Sequence, residues 1–280
     1  MKINKDSLKA RANNLSKEFN IDQGVIYNRF FFDTFLSRLA VSKYKDKFIL
    51  KGGLYLSSLL GIDNRVTIDI DFCLKKLSMS KENIINIILE VASIDLDDGI
   101  KFKILDSSDI RLEDSYGGFQ IRMMAKLDNV RYIFGVDIAT GDPIVPSDKN
   151  YDYKCLVTEK ILPLKAYSLE SVVAEKLQTV LARGITNSRS KDFYDLYILN
   201  KTQTNNIDIV TLKEAFAKTC EYRDFNIDIN SINELVDELS INQQIKIRWN
   251  AFIDKNKYAY NLKFDDIIQS IRNWIEVILK

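Results

Sequence analysis

The alternation of apolar and polar residues between Val66 and Phe72 constrains the fold more than any other feature of this chain. Four apolar residues alternate with three polar ones in this segment: Val66, Thr67, Ile68, Asp69, Ile70, Asp71 and Phe72. A period of two residues is typical of a β-strand with one buried face. Asp69 and Asp71 then point the same way, about 6.6 Å apart along the strand.

Two carboxylates at this separation repel each other by about 2.5 kcal/mol at an effective dielectric constant of about 20. A cation between them would remove that repulsion, and carboxylate oxygens are hard ligands that suit Mg²⁺ or Mn²⁺. Lys51, Gly52, Gly53 and Arg65 precede the aspartates. A glycine pair, basic residues and paired carboxylates together indicate a metal-dependent nucleotide site.

The composition narrows the chemistry that such a site can perform. The 280 residues are 46% hydrophobic and 28% charged and include no histidine, so catalytic triads and zinc sites that need histidine are excluded. A formal net charge of +1 gives no general attraction to nucleic acid, so an RNA partner would need a local basic surface. With no apolar run of membrane-spanning length and no signal-peptide core, we expect a cytoplasmic protein without a membrane partner.

The periodicity predicts an α+β fold with two parts. Helices over 6–19, 22–42 and 80–93 accompany strands over 101–105, 119–127, 130–138 and 153–156, and from Ser168 onward the pattern is almost wholly helical. Asp128 and Asn129 predict a tight hairpin turn between two of the strands. We therefore predict a bilobed protein, with a mixed sheet and flanking helices over 1–165 and a helical domain over 166–280.

Three further motifs carry residues suited to this chemistry. Asp137 lies near the end of the strand 130–138, where it could supply a third carboxylate to a two-metal site or could only cap a turn. Lys176 and Arg183 lie seven residues apart on one helix face, which suits a phosphate chain. Asp192 and Asp195 begin the next helix, and they could simply pair with those cations.

Together, these motifs resemble the nucleotidyltransferase superfamily and, more narrowly, the AbiEii family of abortive-infection toxins. Four blocks match in order between about residues 20 and 200: Phe48 to Gly53, Arg65 to Phe72, Glu175 to Arg183 and Lys191 to Leu196. The superfamily often has Gly-Ser where this chain has Gly52-Gly53. Phosphate contact at this position must therefore rely on backbone N–H groups.

The resemblance implies that a nucleotidyltransferase-like domain over 1–165 transfers a nucleoside monophosphate from a nucleoside triphosphate. Asp69 and Asp71 match the metal ligands for Mg²⁺ or Mn²⁺, Asp137 is the candidate third ligand or base, and Lys176 and Asp192 match a downstream pair expected to be essential. The residues expected to bind the nucleotide are Lys51, Gly52, Gly53, Arg65, Thr67, Lys176, Arg183 and Asp195.

The resemblance also implies the toxin of a toxin-antitoxin pair that acts in phage defence. The implied partners are a triphosphate, with GTP as a candidate, an RNA acceptor such as the 3′ end of tRNA, and a DNA-binding repressor antitoxin that need not contact the toxin directly. Two alternatives stay open. The protein could be a non-catalytic nucleotide-binding module, for example one that binds GTP, or a nucleotidyltransferase that modifies a small molecule such as an antibiotic.

Overall fold

The computed structural model describes residues 3–75, 80–110, 118–139, 141, 143–226 and 228–280. The chain forms two compact units, the first comprising Met1–Gly141 and Lys149–Ala166 and the second Asp142–Asp148 and Tyr167–Lys280. The segment 142–148, which the sequence places in the N-terminal domain, therefore groups with the helical unit.

A mixed sheet of seven strands and four helices make up the described part of the first unit. In chain order they are α1 (Lys5–Phe19), α2 (Gln23–Val41), β1 (Phe48–Lys51), α3 (Gly52–Leu60), β2 (Asp69–Leu74), α4 (Lys81–Ser93), β3 (Ile100–Ile110), β4 (Gly118–Leu127), β5 (Val130–Ala139), β6 (Lys149–Lys154) and β7 (Ile161–Ala166). The strand order is β3-β4-β5-β2-β1-β7-β6. The pairs β2–β5 and β1–β7 are parallel, and the other neighbouring pairs are antiparallel.

Local sequence signals explain several element boundaries. The side chains of Asp22 and Ser80 cap α2 and α4 by accepting from backbone N–H groups of their first turns. The hairpin at Asp128 and Asn129 is confirmed, since Leu127 pairs with Val130 across it. Asp128 adopts a φ of 53°, which aspartate tolerates better than most residues.

Three strand predictions are wrong in their bounds. The strand predicted over 101–105 is β3, which continues to Ile110. The strand with the aspartates begins at Asp69 instead of Val66, because its pairing with β5 begins there, and Ile68 is 69% exposed. The strand predicted over 153–156 is β6, which ends at Lys154.

Two strands, β1 and β7, were not predicted, and β7 contains Pro163, a residue that is unusual in a central strand. The pairing shows why the proline is tolerated. β7 pairs with β1 only at Lys165 and Ala166, so Pro163 has β6 as its single paired neighbour.

One face of the sheet packs on helix α2. Phe32 and Phe35 of α2 make edge-to-face contacts with Phe134 of β5, and Phe35 also meets Phe102 of β3. All four rings lie on the helix-covered side of the sheet. The alternate residues of β3, β4 and β5 therefore point to the opposite side.

The second unit is helical. Its helices are α5 (Leu169–Arg183), α6 (Ser190–Thr202), α7 (Ile209–Tyr222), α8 (Ile229–Ile241), α9 (Gln243–Lys255) and α10 (Phe264–Leu279). Trp274 of α10 is buried and donates to the Leu196 carbonyl of α6. The α+β class is confirmed, and the bilobed arrangement stays a prediction. No helix in the described ranges is long and apolar enough to cross a membrane.

A buried ion pair links α2 to the far edge of the sheet. Arg29 donates to Asp33 Oδ1 at 3.1 Å, and Tyr153 of β6 donates to the same oxygen at 2.6 Å. The backbone N–H of Leu156 donates to Asp33 Oδ2 at 2.7 Å, and Arg29 also reaches the Ser57 hydroxyl of α3. The carboxylate of Asp33 therefore joins three parts of the first unit.

Replacing Asp33 with alanine is expected to destabilise the protein by about 3–5 kcal/mol, because Arg29 stays buried without its carboxylate. Urea unfolding followed by circular dichroism measures the change. Asp46→Ala, at an exposed turn position, is the control and is expected to change the free energy of unfolding by less than about 0.5 kcal/mol. Equal effects of the two substitutions would contradict a structural role for this ion pair.

Candidate active site

Three carboxylates gather on the face of the sheet opposite α2. The parallel register pairs Asp71 of β2 with Asp137 of β5, and Asp69 with Gly135. Paired residues of adjacent strands point to the same side, and the strands lie about 4.8 Å apart. Asp69, Asp71 and Asp137 are each partly exposed, whereas the intervening Ile70 is fully buried. The structure thus brings together the three predicted carboxylates.

The glycine pair passes directly beside these carboxylates. Gly52 has a φ of 64°, and a β-carbon at this position would lie 2.1 Å from Asp71 Oδ2. The Gly53 N–H donates to the same oxygen at 3.2 Å, and a β-carbon on Gly53 would lie 2.6 Å from the Thr67 hydroxyl. Position 52 therefore requires glycine, and a side chain at position 53 would displace Thr67, so the backbone approaches the carboxylate closely.

The basic and hydroxyl residues predicted in this unit surround the same point. Lys51 is the cross-strand partner of Asp71 and is 6% exposed. Arg65 is 5% exposed, and its guanidinium donates to the Val66 carbonyl. Thr67 contacts the Asp69 carbonyl through its hydroxyl at 3.4 Å. Two cations and a hydroxyl thus lie beside the glycine turn and the carboxylates, as polyphosphate recognition requires.

Two groups that donate hydrogen bonds to the carboxylates were not predicted from the sequence. Gln120 of β4 donates from Nε2 to Asp137 Oδ1 at 2.8 Å, and the Gly135 N–H donates to Asp69 Oδ1 at 3.2 Å. A β-carbon on Gly135 would lie 2.6 Å from that Asp69 oxygen. The signal for Gln120 was present in the sequence, because counting outward from the Asp128 hairpin pairs Gln120 with Asp137.

The oxygens of these carboxylates are hard ligands, which suit a hard divalent cation. Among the described residues, however, no group of three or more acidic or cysteine side chains is arranged to hold a metal ion by itself. Mg²⁺ commonly takes one or two carboxylates and completes its shell with water and substrate phosphates. The donor set therefore suits an ion that arrives with a triphosphate better than a permanently bound one.

The other four predicted site residues lie in the second unit. Lys176 of α5 donates from Nζ to Asp192 Oδ1 at 2.8 Å and contacts Asp195 Oδ2 at 2.7 Å. Arg189 binds the other oxygen of Asp192 at 2.7 Å. The Lys176 side chain is 13% exposed, and the two aspartates are buried. The alternative left open by the sequence, pairing of Lys176 with these acids, is therefore what the structure shows.

Electrostatics fixes the charge state of this cluster. Burial alone would lower the pKa of Lys176, but attraction to Asp192 and Asp195 outweighs it and raises that pKa. Burial alone would raise the pKa of Asp192, but Lys176 and Arg189 hold it well below its usual range. Lys176 and Asp192 are therefore ionised at neutral pH, and their ion pair ties α5 to α6.

Arg183 does not join this cluster. It lies in the last turn of α5 and is exposed, whereas Lys176 is enclosed by its two carboxylates. Glu175, next to Lys176, instead lies 3.5 Å from Arg223 at the end of α7. The predicted phosphate-binding face of α5 is thus divided between a buried ion pair and an exposed cation.

Comparison with known protein families identifies one match. Residues 34–270 match the family model described as nucleotidyl transferase AbiEii toxin of type IV toxin-antitoxin systems. This match covers β1 to β7, α3 to α9 and the first seven residues of α10. It includes all of the predicted site residues.

Three crystal structures are similar to this chain at low sequence identity. A candidate nucleotidyltransferase from H. pylori has 15% identity and a TM-score of 0.49, covering 92% of this chain and 96% of its own. JHP933 from Helicobacter pylori has 15% identity and a TM-score of 0.48, with 92% of each chain covered. An antigenic nucleotidyltransferase-like protein from Paracoccidioides brasiliensis has 10% identity and a TM-score of 0.34, covering 87% of this chain and 92% of its own. Comparison with curated proteins gave no match.

Gly52→Ala is expected to harm the site more than Gly99→Ala. Both glycines have positive φ, so alanine costs about 1–2 kcal/mol of backbone strain at either position. A β-carbon on Gly99 meets nothing closer than 3.8 Å, whereas one on Gly52 displaces Asp71. Calorimetric titration with a triphosphate and Mg²⁺ should show binding lost in Gly52→Ala and kept in Gly99→Ala. Equal affinities would contradict the role given to this turn.

Asp192→Asn is expected to lower the free energy of unfolding by about 2 kcal/mol at pH 7, because a buried charged hydrogen bond is lost. The depressed pKa of Asp192 stabilises the folded state above its unfolded value of about 3.9, and this contribution disappears as the pH falls through the folded value. The difference between the wild type and the variant should therefore shrink below about pH 4 in urea titrations.

Asp237→Asn is the matched control for this prediction. Asp237 pairs with Arg272 at 2.6 Å in the same unit, but its side chain is 70% exposed. Its loss is expected to change the free energy of unfolding by less than about 1 kcal/mol at any pH. A difference between the wild type and Asp192→Asn that does not vary with pH would contradict the ionised cluster.

Proposed function

Since the chain belongs to the AbiEii family of nucleotidyl transferase toxins, we propose that it transfers a nucleoside monophosphate from a nucleoside triphosphate to a hydroxyl group of RNA. The 3′ end of tRNA is the acceptor that we favour, and Mg²⁺ or Mn²⁺ is the cofactor. The observation that carries this proposal is the common sheet face of Asp69, Asp71 and Asp137 beside the glycine turn.

The reaction is a single displacement at the α-phosphorus. The acceptor hydroxyl oxygen forms a bond to the α-phosphorus, the bond from that phosphorus to the β-phosphate oxygen breaks, and pyrophosphate leaves with the electron pair. The hydroxyl proton must leave the attacking oxygen. In this proposal Asp137, which accepts from Gln120 at 2.8 Å, receives it or binds a second ion.

The residues around the carboxylates would hold the triphosphate. Asp69 and Asp71 would hold the divalent ion, which neutralises phosphate charge and orients the leaving group. Lys51 and Arg65 supply fixed positive charge, and the glycine turn lets the backbone contact phosphate oxygens without an intervening side chain. All of these groups belong to the first unit.

Lys176 has a different role in this proposal. Its charge is already balanced by Asp192 and Asp195 within the second unit. Removal of Lys176 would take one cationic partner from two buried carboxylates, of which Asp192 keeps Arg189, and this loss costs about 3–5 kcal/mol. Loss of activity on mutation of Lys176 or Asp192 must therefore be separated from loss of stability.

A non-catalytic nucleotide-binding module is the second candidate. It would use the same carboxylates of the sheet face to hold a divalent ion beside a bound triphosphate. Such a module would bind a triphosphate and leave it intact.

Asp71→Asn tests the proposed reaction. The wild type, incubated with each α-³²P-labelled triphosphate, Mg²⁺ and total cellular RNA, is expected to label RNA and release pyrophosphate. Asp71→Asn should reduce the rate by about 10²-fold or more, since it removes a charge on which the phosphate site depends. Asp46→Asn, at an exposed turn position, should retain the rate of the wild type.

The outcomes of this assay separate the alternatives. A folded Asp71→Asn protein that labels RNA at the wild-type rate would refute the proposed site. Triphosphate binding by the wild type without a labelled product would favour the non-catalytic module. Labelling of an antibiotic hydroxyl in place of RNA would favour the small-molecule enzyme.

A further inference from the structure

The carboxylate face of the sheet continues into a strongly cationic surface. On β3, β4 and β5 the residues that point away from α2 include five exposed cations, which we call the cationic face: Lys101, Lys103, Arg122, Lys126 and Arg131. They come from three strands and are separated by up to 30 positions in the sequence. The chain as a whole has a net charge of only +1, so this concentration of charge is local.

Three of these cations form one row across the sheet. The register pairs Lys101 with Lys126 and Lys126 with Arg131. Neighbouring members of the row are separated by about 5 Å between strands. Like charges directly opposite each other destabilise a sheet. Among the described residues, no acidic side chain forms an ion pair with any of the three. Folding alone does not favour this row, whereas a polyanion lying across it would remove the repulsion.

The next row of the sheet is apolar at its centre. Lys103 pairs with Met124, and Met124 pairs with Ile133, whose side chain is 54% exposed. The row after that contains Arg122 beside Gly135, with Arg122 in an exposed ion pair with Asp106 at 2.9 Å. The surface therefore has cations around a small apolar patch, on which a ribose or a base can pack.

This surface is joined to the carboxylates by the strands themselves. Arg131 and Asp137 lie on the same face of β5, and Lys126 and Gln120 lie on the same face of β4. Arg131 and Asp137 are six positions apart, which corresponds to about 20 Å along the strand. A polymer whose reacting end lies at Asp137 can therefore extend over the cationic row without leaving the face.

We infer that the cationic face binds the sugar-phosphate backbone of the RNA acceptor and directs its reacting hydroxyl toward Asp137. The direction given to the acceptor rests on the proposed function, whereas binding of RNA to the cationic face does not depend on catalysis. Its recognition is electrostatic and therefore tolerant of sequence. An acidic protein or an anionic membrane is the competing occupant, and the test distinguishes them.

The test uses the full-length triple variant Lys101→Gln, Lys126→Gln and Arg131→Gln, with Lys9→Gln, Lys45→Gln and Lys160→Gln as the control. The control removes the same charge from exposed positions elsewhere in the first unit. Fluorescein-labelled bulk tRNA is titrated with each protein at several salt concentrations, and binding is followed by anisotropy. Triphosphate binding is measured in parallel without RNA.

The triple variant is expected to bind tRNA roughly tenfold or more weakly, because three phosphate contacts are lost. The slope of log affinity against log salt should fall by about 2 to 3. Triphosphate affinity and the control variant should match the wild type. In the labelling assay, KM for RNA should rise while kcat stays close to the wild-type value. Thermal stability should be unchanged or higher, since the repulsion within the row is removed.

Wild-type tRNA affinity and salt slope in the triple variant would overturn the inference. The inference would also be overturned if the triple variant lost binding to phosphatidylserine vesicles or to polyglutamate but still bound tRNA like the wild type. If the wild type binds tRNA through the cationic face but labels no acceptor, the proposed function is wrong and the inferred RNA-binding surface is retained. If RNA is labelled with an unchanged KM in the triple variant, the function stands and the surface fails.

Discussion

The parallel pairing of β2 with β5 is the constraint on which the rest of the site depends. It places Asp71 beside Asp137 and Asp69 beside Gly135, so acidic groups that are distant in sequence share one face. Such a concentration of negative charge is unfavourable in the absence of a cation. The protein offsets part of it with the N–H groups of Gly53 and Gly135 and the amide of Gln120. Backbone N–H groups and the Gln120 amide therefore help to hold the three carboxylates on this face.

The two ionic clusters of the protein differ in what they leave available. In the second unit, Lys176 satisfies Asp192 and Asp195, and all three are largely buried. In the first unit, the carboxylates of the sheet face are partly exposed and accept hydrogen bonds from the N–H groups of Gly53 and Gly135 and from the amide of Gln120. The buried cluster of the second unit stabilises the packing of α5 on α6. The partly exposed carboxylates of the first unit can exchange partners, and binding of a metal ion and a polyphosphate requires such an exchange.

The sequence predicted which carboxylates share a sheet face better than it predicted the limits of the strands. Alternation predicted that Asp69 and Asp71 share a face, and the hairpin at Asp128 fixed the β4–β5 register. Alternation could not show where pairing begins, and for this reason Ile68 was wrongly assigned a buried position. The row of Lys101, Lys126 and Arg131 was not predicted, because it requires the register of β3 against β4, and that register shifts between Ile104 and Asp106.

The central claim is that the sheet-face carboxylates bind a divalent ion together with a triphosphate. Electron paramagnetic resonance of Mn²⁺, titrated into the wild type and into an Asp69→Asn, Asp71→Asn double variant, tests it most directly. With a non-hydrolysable triphosphate present, we expect tight Mn²⁺ binding by the wild type, weaker binding without the triphosphate, and none above background in the double variant. Mn²⁺ binding by the double variant equal to that of the wild type would contradict the account.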